Sequence, residues 1–442
     1  MTHLIGNGIL ITRNAELPLI GDGCVAIEGN TIVDFGTSAD MKRKYESAAF
    51  DDVYGSLIMP GLINTHGHIY SALARGMSLS GGKVSKNFTQ ILENLWWRVD
   101  RALGIEEIKS SAYTTYLDGI RNGVTTVFDH HASAGKVQGS LFTIADVAKE
   151  IGVRTSLCYE VSDRDGQQIS DAGIAENADF IDYAKAQNSN MLKAMFGLHA
   201  SFTLSDETLT KCADAAGDTG FHVHVAEGID DLNDCIAKHG KRVVQRLNDF
   251  GIIGNNTLSV HCIHIDEAEK DILKQNDCIV VHNPESNMGN AVGCSDVLGM
   301  MDKGILVGLG TDGFTTDMLE SLKVANLIHK HQQGDPSVGW AQAPQMLFEK
   351  NAKICARFFD KPLGIIDRGA LADIIIIDYN APTPITQDNI DAHMLFGLMG
   401  RSVTSTMING KYVMRNRDII DVDESKIYAD SRQVAKEFWD KV

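Results

Sequence analysis

Proline is scarce, at 8 of 442 residues, and the 8 cysteines include no Cys-x-x-Cys pair. Thiols scattered through a chain this long read as reduced residues of a cytoplasmic protein, not as a disulfide framework. No apolar run approaches the roughly 18 residues that a membrane-spanning helix needs. Met1-Thr2-His3-Leu4-Ile5-Gly6 lacks the basic and long apolar segments of a secretory leader. Positive charge is also short. Forty Lys and Arg face 58 Asp and Glu, for a formal net charge of -18. That balance argues against nucleic acid and against an anionic membrane surface as partners. What remains is an ordinary soluble composition, 44% hydrophobic and 22% charged with 41 glycines, which excludes a low-complexity reading. A chain of this length buries a large core without metals or disulfides to hold it together.

Both ends of the chain read as strands. Ile9-Leu10-Ile11, Cys24-Val25-Ala26-Ile27 and Ile32-Val33-Asp34-Phe35 are apolar runs separated by Gly21-Asp22-Gly23 and Gly29-Asn30. Gly-Asn between two such runs is a hairpin signal, because it tolerates positive φ. Near the other end, Ile374-Ile375-Ile376-Ile377 and the run from Val403 to Ile408 precede the turn Asn409-Gly410. Residues 1–56 and 373–442 are therefore expected to form one small β-sandwich domain. Between them, residues 57–372 alternate apolar runs with stretches of helical composition. Eight runs end near His66, Asp129, Glu160, His199, His224, His261, His282 and Asp312. Strands alternating with helices imply parallel pairing through right-handed crossovers. Eight units imply a (β/α)8 TIM-like barrel, whose active site lies at the C-terminal ends of its strands.

Three His-x-His pairs occur among the 15 histidines. His329-Lys330-His331 lies in a helical stretch, where i and i+2 diverge by about 200°, and reads as a solvated surface pair. His66-Gly67-His68 and His222-Val223-His224 follow or occupy strand-like runs, where i and i+2 share a face. Alone, the first pair reads as two imidazole ligands, with a polar loop around a flexible glycine as the lesser alternative. A Glu stands three residues after His224, and Thr311-Asp312-Gly313 ends a glycine-spaced run. Alone, that Asp could cap the next helix. Set at the first, fifth and eighth strand ends of one barrel, these groups close on a single divalent-metal site.

The segment Met59-Pro60-Gly61-Leu62-Ile63-Asn64-Thr65-His66-Gly67-His68 resembles the first metal motif of the amidohydrolase superfamily. His224-Val225-Ala226-Glu227, Val260-His261-Cys262, His282-Asn283-Pro284-Glu285-Ser286-Asn287 and Leu309-Gly310-Thr311-Asp312-Gly313 follow in the order of its deaminase and triazine chlorohydrolase branch. Asn94-Leu95-Trp96-Trp97-Arg98 and Asp129-His130-His131-Ala132-Ser133 look closest to the SsnA-like aminohydrolases associated with selenium metabolism. The resemblance implies one divalent ion, Zn²⁺ or else Fe²⁺, held by His66, His68, His224 and Asp312. It makes Glu227 the proton shuttle, His261 the group that orients the attacking water, and His199 a substrate-facing residue. Asp312 also serves catalysis by accepting the water's proton. Binuclear relatives use a carboxylated lysine at the end of strand four. Here Lys193 precedes Ala194-Met195-Phe196 and the strand ends at His199, so one ion is expected.

The chemistry of these residue types agrees. Zn²⁺ brings the pKa of a bound water to about 7. Attack on a ring carbon flanked by nitrogens needs an acid to protonate the ring, and Glu227 is placed for it. His261 adds a donor where charge develops on oxygen. His131, Glu160, Arg164 and Trp96 are the further substrate contacts expected, His131 because it shares a strand face with Asp129. The function expected is deamination of an aminated heterocycle, a purine- or pterin-like base. Phe88-Thr89-Gln90-Ile91 lacks the acidic and Trp residues of nucleoside-acting members, which disfavours a ribose-bearing substrate. Hydrolytic dechlorination of a triazine-like ring is the second reading, and a non-catalytic scaffold the third. The scaffold reading conflicts with the presence of every ligand. A homodimer or higher homo-oligomer is expected, with 393–399 as possible contact surface. The loop from Ile69 to Trp97, with Gly76, Gly81 and Gly82, is expected to act as a lid.

Overall fold

The computed structural model describes residues 1–78 and 84–442. Its two ends meet in one sheet. Thr2–Ile11 pairs antiparallel with Leu19–Glu28, which pairs with Thr31–Thr37 across a turn where Gly29 adopts φ 60°. Ile374–Ile377 pairs with Val403–Ile408, and the hairpin to Lys411–Arg415 turns through Asn409 and Gly410, both at positive φ. Leu57–Pro60 joins the two ends, parallel to Thr2–Ile11 and antiparallel to Ile374–Ile377. Nine strands among the described residues share this sheet. Ile5, Val25, Ile27, Ile58, Ile374, Ile376 and Met407 pack into one apolar cluster against it.

The central region is parallel. Leu62–Gly67, Val124–Asp129, Arg154–Leu157 and Leu192–Ala194 form one sheet. Phe196–Ala200, Phe221–Val225, Leu258–His261, Ile279–His282 and Leu306–Leu309 form a second. Helices such as Ile105–Arg121 and Gln167–Gln187 separate successive strands, as the sequence alternation implies. Each expected strand is present; the third ends at Leu157, three residues before Glu160. The fourth breaks at Met195, whose amide bonds Leu157 O at 3.0 Å while Phe196 N turns to Gly220 O. At the opposite side, Thr311 N and Asp312 N both donate to His66 O, at 2.9 and 3.0 Å, beside a parallel bridge between Gly67 and Asp312. Gly310 permits this approach. A Cβ there would stand 2.9 Å from Cβ and O of His66.

Two devices tie the terminal segments to the parallel strands. Arg154, fully buried, donates from Nη2 to Asp373 Oδ1 at 2.7 Å and from Nε to Oδ2 at 3.2 Å. Asp373 also accepts the Asn409 amide at 2.8 Å. The C-terminal helix, Glu424–Trp439, packs on Ile105–Arg121, with Ser110 Oγ donating to Ser431 Oγ at 2.9 Å. Its Trp439 Nε1 donates to Leu73 O at 2.7 Å, steadying the 3₁₀ turn Ile69–Ala74 that directly follows His68.

A buried pair broken on one side leaves an uncompensated charge. Asp373→Ala should lower the unfolding free energy by about 3–5 kcal/mol in chemical denaturation. Arg154→Met combined with Asp373→Leu should recover most of that loss. Equal destabilisation by the single and the double variant would contradict this account of the pair.

Candidate metal centre

The ring orientations of three histidines are set from behind. His68 Nδ1–H donates to His130 O at 2.6 Å, and His224 Nδ1–H donates to His199 O at 3.0 Å. Each Nε2 is therefore the nitrogen left to ligate, and the two face one another at 3.3 Å. His66 Nδ1 pairs with His222 Nε2 at 2.9 Å, while its Nε2 is buried without a partner. Asp312 Oδ1 lies 3.2 Å from His68 Nε2 and 3.9 Å from His66 Nε2. The ligand atoms of His66, His68 and His224 fall within 4.8 Å of one another, as do those of His66, His261 and Asp312. Converging acceptors, one of them an orphan, fit a divalent ion at the usual Zn–N distance of about 2.0–2.1 Å. Three imidazoles and one carboxylate suit Zn²⁺ or Fe²⁺.

The strand ends that present these groups are bent. Ala226, His261, Cys262 and Asp312 all adopt φ between 47° and 70°, a region costly for non-glycine residues and frequent at functional sites. Gly313 N donates to Asp312 Oδ1 at 2.7 Å, which holds the carboxylate in place. Ala226 turns the chain so that Glu227 Oε2 lies 3.3 Å from His261 Nε2. Burial, reinforced by the charge of Asp312, raises the Glu227 pKa well above the ordinary carboxyl range. Burial would raise Asp312 as well, but His68 and His261 hold it low. Burial and neighbouring charge thus push the two carboxyls' pKa values in opposite directions. His261 Nδ1–H donates to Asn287 Oδ1 at 2.8 Å, leaving Nε2 3.5 Å from Asp312 Oδ2.

Glu160 and His199 stand on the other flank. His224 separates them from His261, with ring centroids 5.7 Å from His199 and 5.5 Å from His261. Glu160 Oε2 is 3.3 Å from His130 Nδ1, and Oε1 is 3.7 Å from His199 Nε2. Burial opposes ionisation of Glu160, yet His199 and His130 bring its pKa down to about 2. Trp96 lies in the cavity wall, together with Tyr70, Phe88, Leu92, Trp97, Asp100 and Phe314. The cavity measures about 50 Å³, far below the roughly 300 Å³ of a typical ligand pocket. A larger cavity of about 600 Å³ adjoins it, sharing His68, Ser71, Trp96, Asp312, Gly313 and Phe314. The cover of the small cavity is the helical segment from Phe88 to Ala102, which contains a π-helical turn at Leu92–Trp96. It is latched where Thr89 Oγ1 donates to Asp230 Oδ2 at 2.7 Å. Of the expected lid glycines, Gly76 has φ 76°, while Gly81 and Gly82 lie outside the described residues.

Three expectations are revised. His131 pairs with Ser133 Oγ at 2.9 Å and is absent from the cavity wall. The inward face of this strand carries Phe128, packed with Ile63, Val260 and Val281. Two residues on, His130 shares that face and meets Glu160. Arg164 is spent on Asp100, with Nη1 3.3 Å from Oδ1 and Nη2 bonded to Oδ2, and its guanidinium lies 5.2 Å over the Trp97 ring. His329 is buried, stacked 5.0 Å from His282, and only its neighbour His331 is exposed. Positions i and i+2 on a helix cannot both face water when one side is packed. Sequence reasoning also missed Asn287, Thr203 and Asp100. The first lies within the His282–Asn287 motif, which was the available signal.

A family model described as "Amidohydrolase family" matches residues 57–413. The chain is 29% identical to a 5'-deoxyadenosine deaminase of Methanosarcina acetivorans, covering 98% of both chains. It is 30% identical to a 5-methylthioadenosine/S-adenosylhomocysteine deaminase of Pelotomaculum thermopropionicum, again covering 98% of both. Among solved structures, an adenosine deaminase from Xanthomonas campestris with bound zinc superposes with TM-score 0.87 at 23% identity, covering 99% of this chain and 98% of that one. The zinc complex of atrazine chlorohydrolase from Arthrobacter aurescens gives TM-score 0.81 at 20% identity, with 98% and 99% covered. These two likenesses concern the fold.

Elemental analysis should find about one Zn²⁺ or Fe²⁺ per chain. His66→Ala should lose the ion, and Glu227→Gln should keep it. Without an ion, Asp312 outweighs burial and raises the pKa of His68 to about 9. His68 is then protonated at pH 7 and must release that proton to coordinate. Zn²⁺ affinity should therefore rise with pH from 7 towards 9. Calorimetry in buffers of different ionisation enthalpy should count about one proton released per ion at pH 7, and no release would contradict the arrangement.

Proposed function

The chain belongs to the amidohydrolase family, and we propose from that premise that it is a metal-dependent aminohydrolase that releases ammonia from an aminated purine-like ring. One observation carries the reading: Glu227 stands 3.3 Å from His261 beside the cluster His66, His68, His224 and Asp312, and burial raises its pKa well above the ordinary carboxyl range. When bound there, a divalent ion, Zn²⁺ first and Fe²⁺ second, would supply the Lewis acidity that brings the pKa of a water near 7. Glu227 delivers its proton to the ring nitrogen next to the attacked carbon. Asp312, ionised at neutral pH, takes a proton from the water. His261 Nε2 interacts with the oxygen on which charge grows. A C–O bond forms and a C–N bond breaks. Of the water's two protons, one ends on the ring and one on the departing nitrogen, giving ammonia.

The named relatives support an amino leaving group over chloride, and an adenosine-type substrate over a free base. The expectation against ribose rested on Phe88 to Ile91. Trp96, Trp97 and Asp100 of the same helical segment line the cavity, so an aromatic pair and an acid are at hand after all. No Lys or Arg lies among the described residues of that wall, which supports neutral substrates over phosphorylated ones.

We read the eight parallel strands as one (β/α)8 barrel, residues 57–372. We read the terminal sheet, residues 1–56 and 373–442, as a sandwich curled over the cluster around Ile5 and Ile374, with Leu57–Pro60 as its shared strand. No helix among the described residues is long and apolar enough to cross a membrane. A cytoplasmic location is supported by eight cysteines that are all free. A homodimer is supported by exposed Phe396, stacked 5.7 Å from exposed Trp340, within the expected 393–399 stretch; a single-chain mass in sedimentation would contradict it.

Ammonia should be released from 5'-deoxyadenosine, 5'-methylthioadenosine or an amino-oxopurine in a coupled assay, with adenosine 5'-phosphates inert. Glu227→Gln should abolish that release. Efficient turnover of a nucleotide, or chloride release from a triazine without any deamination, would overturn the proposal.

A further inference from the structure

The strands that lead to His66 and Asp312 are neighbours held together largely by side chains. Among the described residues no ladder joins Leu62–Gly67 to Leu306–Leu309; the first pairs with Val124–Asp129 and the second with Ile279–His282. Backbone contact across this seam is confined to its upper end, where Thr311 N and Asp312 N reach His66 O. Beneath, Asn351 spans it. This side chain is fully buried, and its Nδ2 donates to Ile63 O and to Leu309 O, both at 2.8 Å. Its Oδ1 accepts the Leu309 amide at 2.8 Å. Those partners fix the orientation of the side-chain amide, since two carbonyls require its two N–H bonds and an N–H requires its oxygen. Thr65 Oγ1 adds a bond to Leu309 O at 3.0 Å, and Asn64 Nδ2 one to Thr311 Oγ1 at 2.7 Å.

The glycine spacing of Val307-Gly308-Leu309-Gly310 makes room for this. A Cβ at Gly308 would stand 2.6 Å from Asn351 Oδ1 and 2.4 Å from Ile354 Cδ1. One glycine thus admits the asparagine, as Gly310 admits His66. A π-helical turn, Gln345–Lys350, delivers Asn351 at the head of the helix Asn351–Cys355, and such turns are frequent at functional sites. Asn351 is absent from the described walls of both cavities, so any effect on the site passes through the strands.

The residues it joins stand level beneath two ligands. Ile63 precedes His66 by three residues, and Leu309 precedes Asp312 by three. His66 Nε2 and Asp312 Oδ1 lie 3.9 Å apart. Two ligands of one tetrahedral zinc stand about 3.3 Å apart, so a wider seam would carry Asp312 out of reach. Resting on the metal centre described above, we propose that Asn351 is a positioning residue for it, setting the separation of the two strands and hence the span from His66 to Asp312.

The test measures zinc affinity by competition with a chelator. Asn351→Leu keeps a branched side chain and removes all three bonds. It should lower zinc affinity by about tenfold or more, the range seen when a group that orients a ligand is lost. With Co²⁺ in place of zinc, its visible absorption spectrum should also change in form, because those bands report ligand geometry. Asp373→Ala is destabilised at a site remote from both ligands and supplies the comparison, since it should keep the wild-type affinity and spectrum. If Asn351→Leu does not fold, Thr65→Val removes one bond of the seam at constant size and should lower the affinity by a smaller factor. Wild-type affinity in the folded seam variant, or an equal loss in Asp373→Ala, would overturn the assignment and leave the metal centre standing. Wild-type protein that binds no divalent ion would sink the centre itself, and this role of Asn351 with it.

Discussion

Ring nitrogens of His66, His68 and His224 meet within 4.8 Å of one another, and the Asp312 carboxylate lies 3.2 Å from His68 Nε2. No Lys or Arg lies among the described residues of the small cavity that His68, His224 and Asp312 line. Such a gathering is unfavourable in a buried site unless positive charge joins it. A proton on His68 supplies that charge when no ion is bound, and a divalent ion supplies more of it. Much of the surrounding architecture reads as the means of holding this arrangement. Backbone carbonyls of His130 and His199 dictate which nitrogen of His68 and His224 is free. Gly310 lets the last parallel strand close on His66, and strained backbone at Asp312 and Ala226 aims the two carboxyls.

The two flanks of the cluster then differ in kind. Glu227 has its charge suppressed by burial and by Asp312, whereas Glu160 keeps its charge because His130 and His199 surround it. Environment, not residue type, separates their roles. The aromatic cover, anchored through Thr89 to the helix that begins just after Glu227, couples access to the segment that carries the acid.

Much of this was legible in the residues because the informative groups sit at the ends of apolar runs. His66, His68, His224, Glu227, His261 and Asp312 lie where strands stop, and the structure brings them into one cluster, with Glu227 3.3 Å and Asp312 3.5 Å from His261. What escaped the sequence depended on register or on distant partners. His131 was expected at the cavity from strand parity, yet it bonds Ser133, and its neighbour His130 meets Glu160 behind the wall. Arg164 looked free because its partner, Asp100, is 64 residues away on the covering helix. The β character of both chain ends was visible from Gly29-Asn30 and Asn409-Gly410. Their union into one sheet was not, since it depends on Leu57–Pro60 pairing with Ile374–Ile377, more than 300 residues along the chain.

The central claim is a single ion held by three imidazoles and one carboxylate. X-ray absorption at the metal edge of the purified protein tests it most directly. The account predicts a shell of nitrogen and oxygen scatterers at about 2.0–2.2 Å, with the imidazole pattern of three histidines and no sulfur. A second metal scatterer at about 3.5–4 Å, or a sulfur ligand at about 2.3 Å, would contradict it.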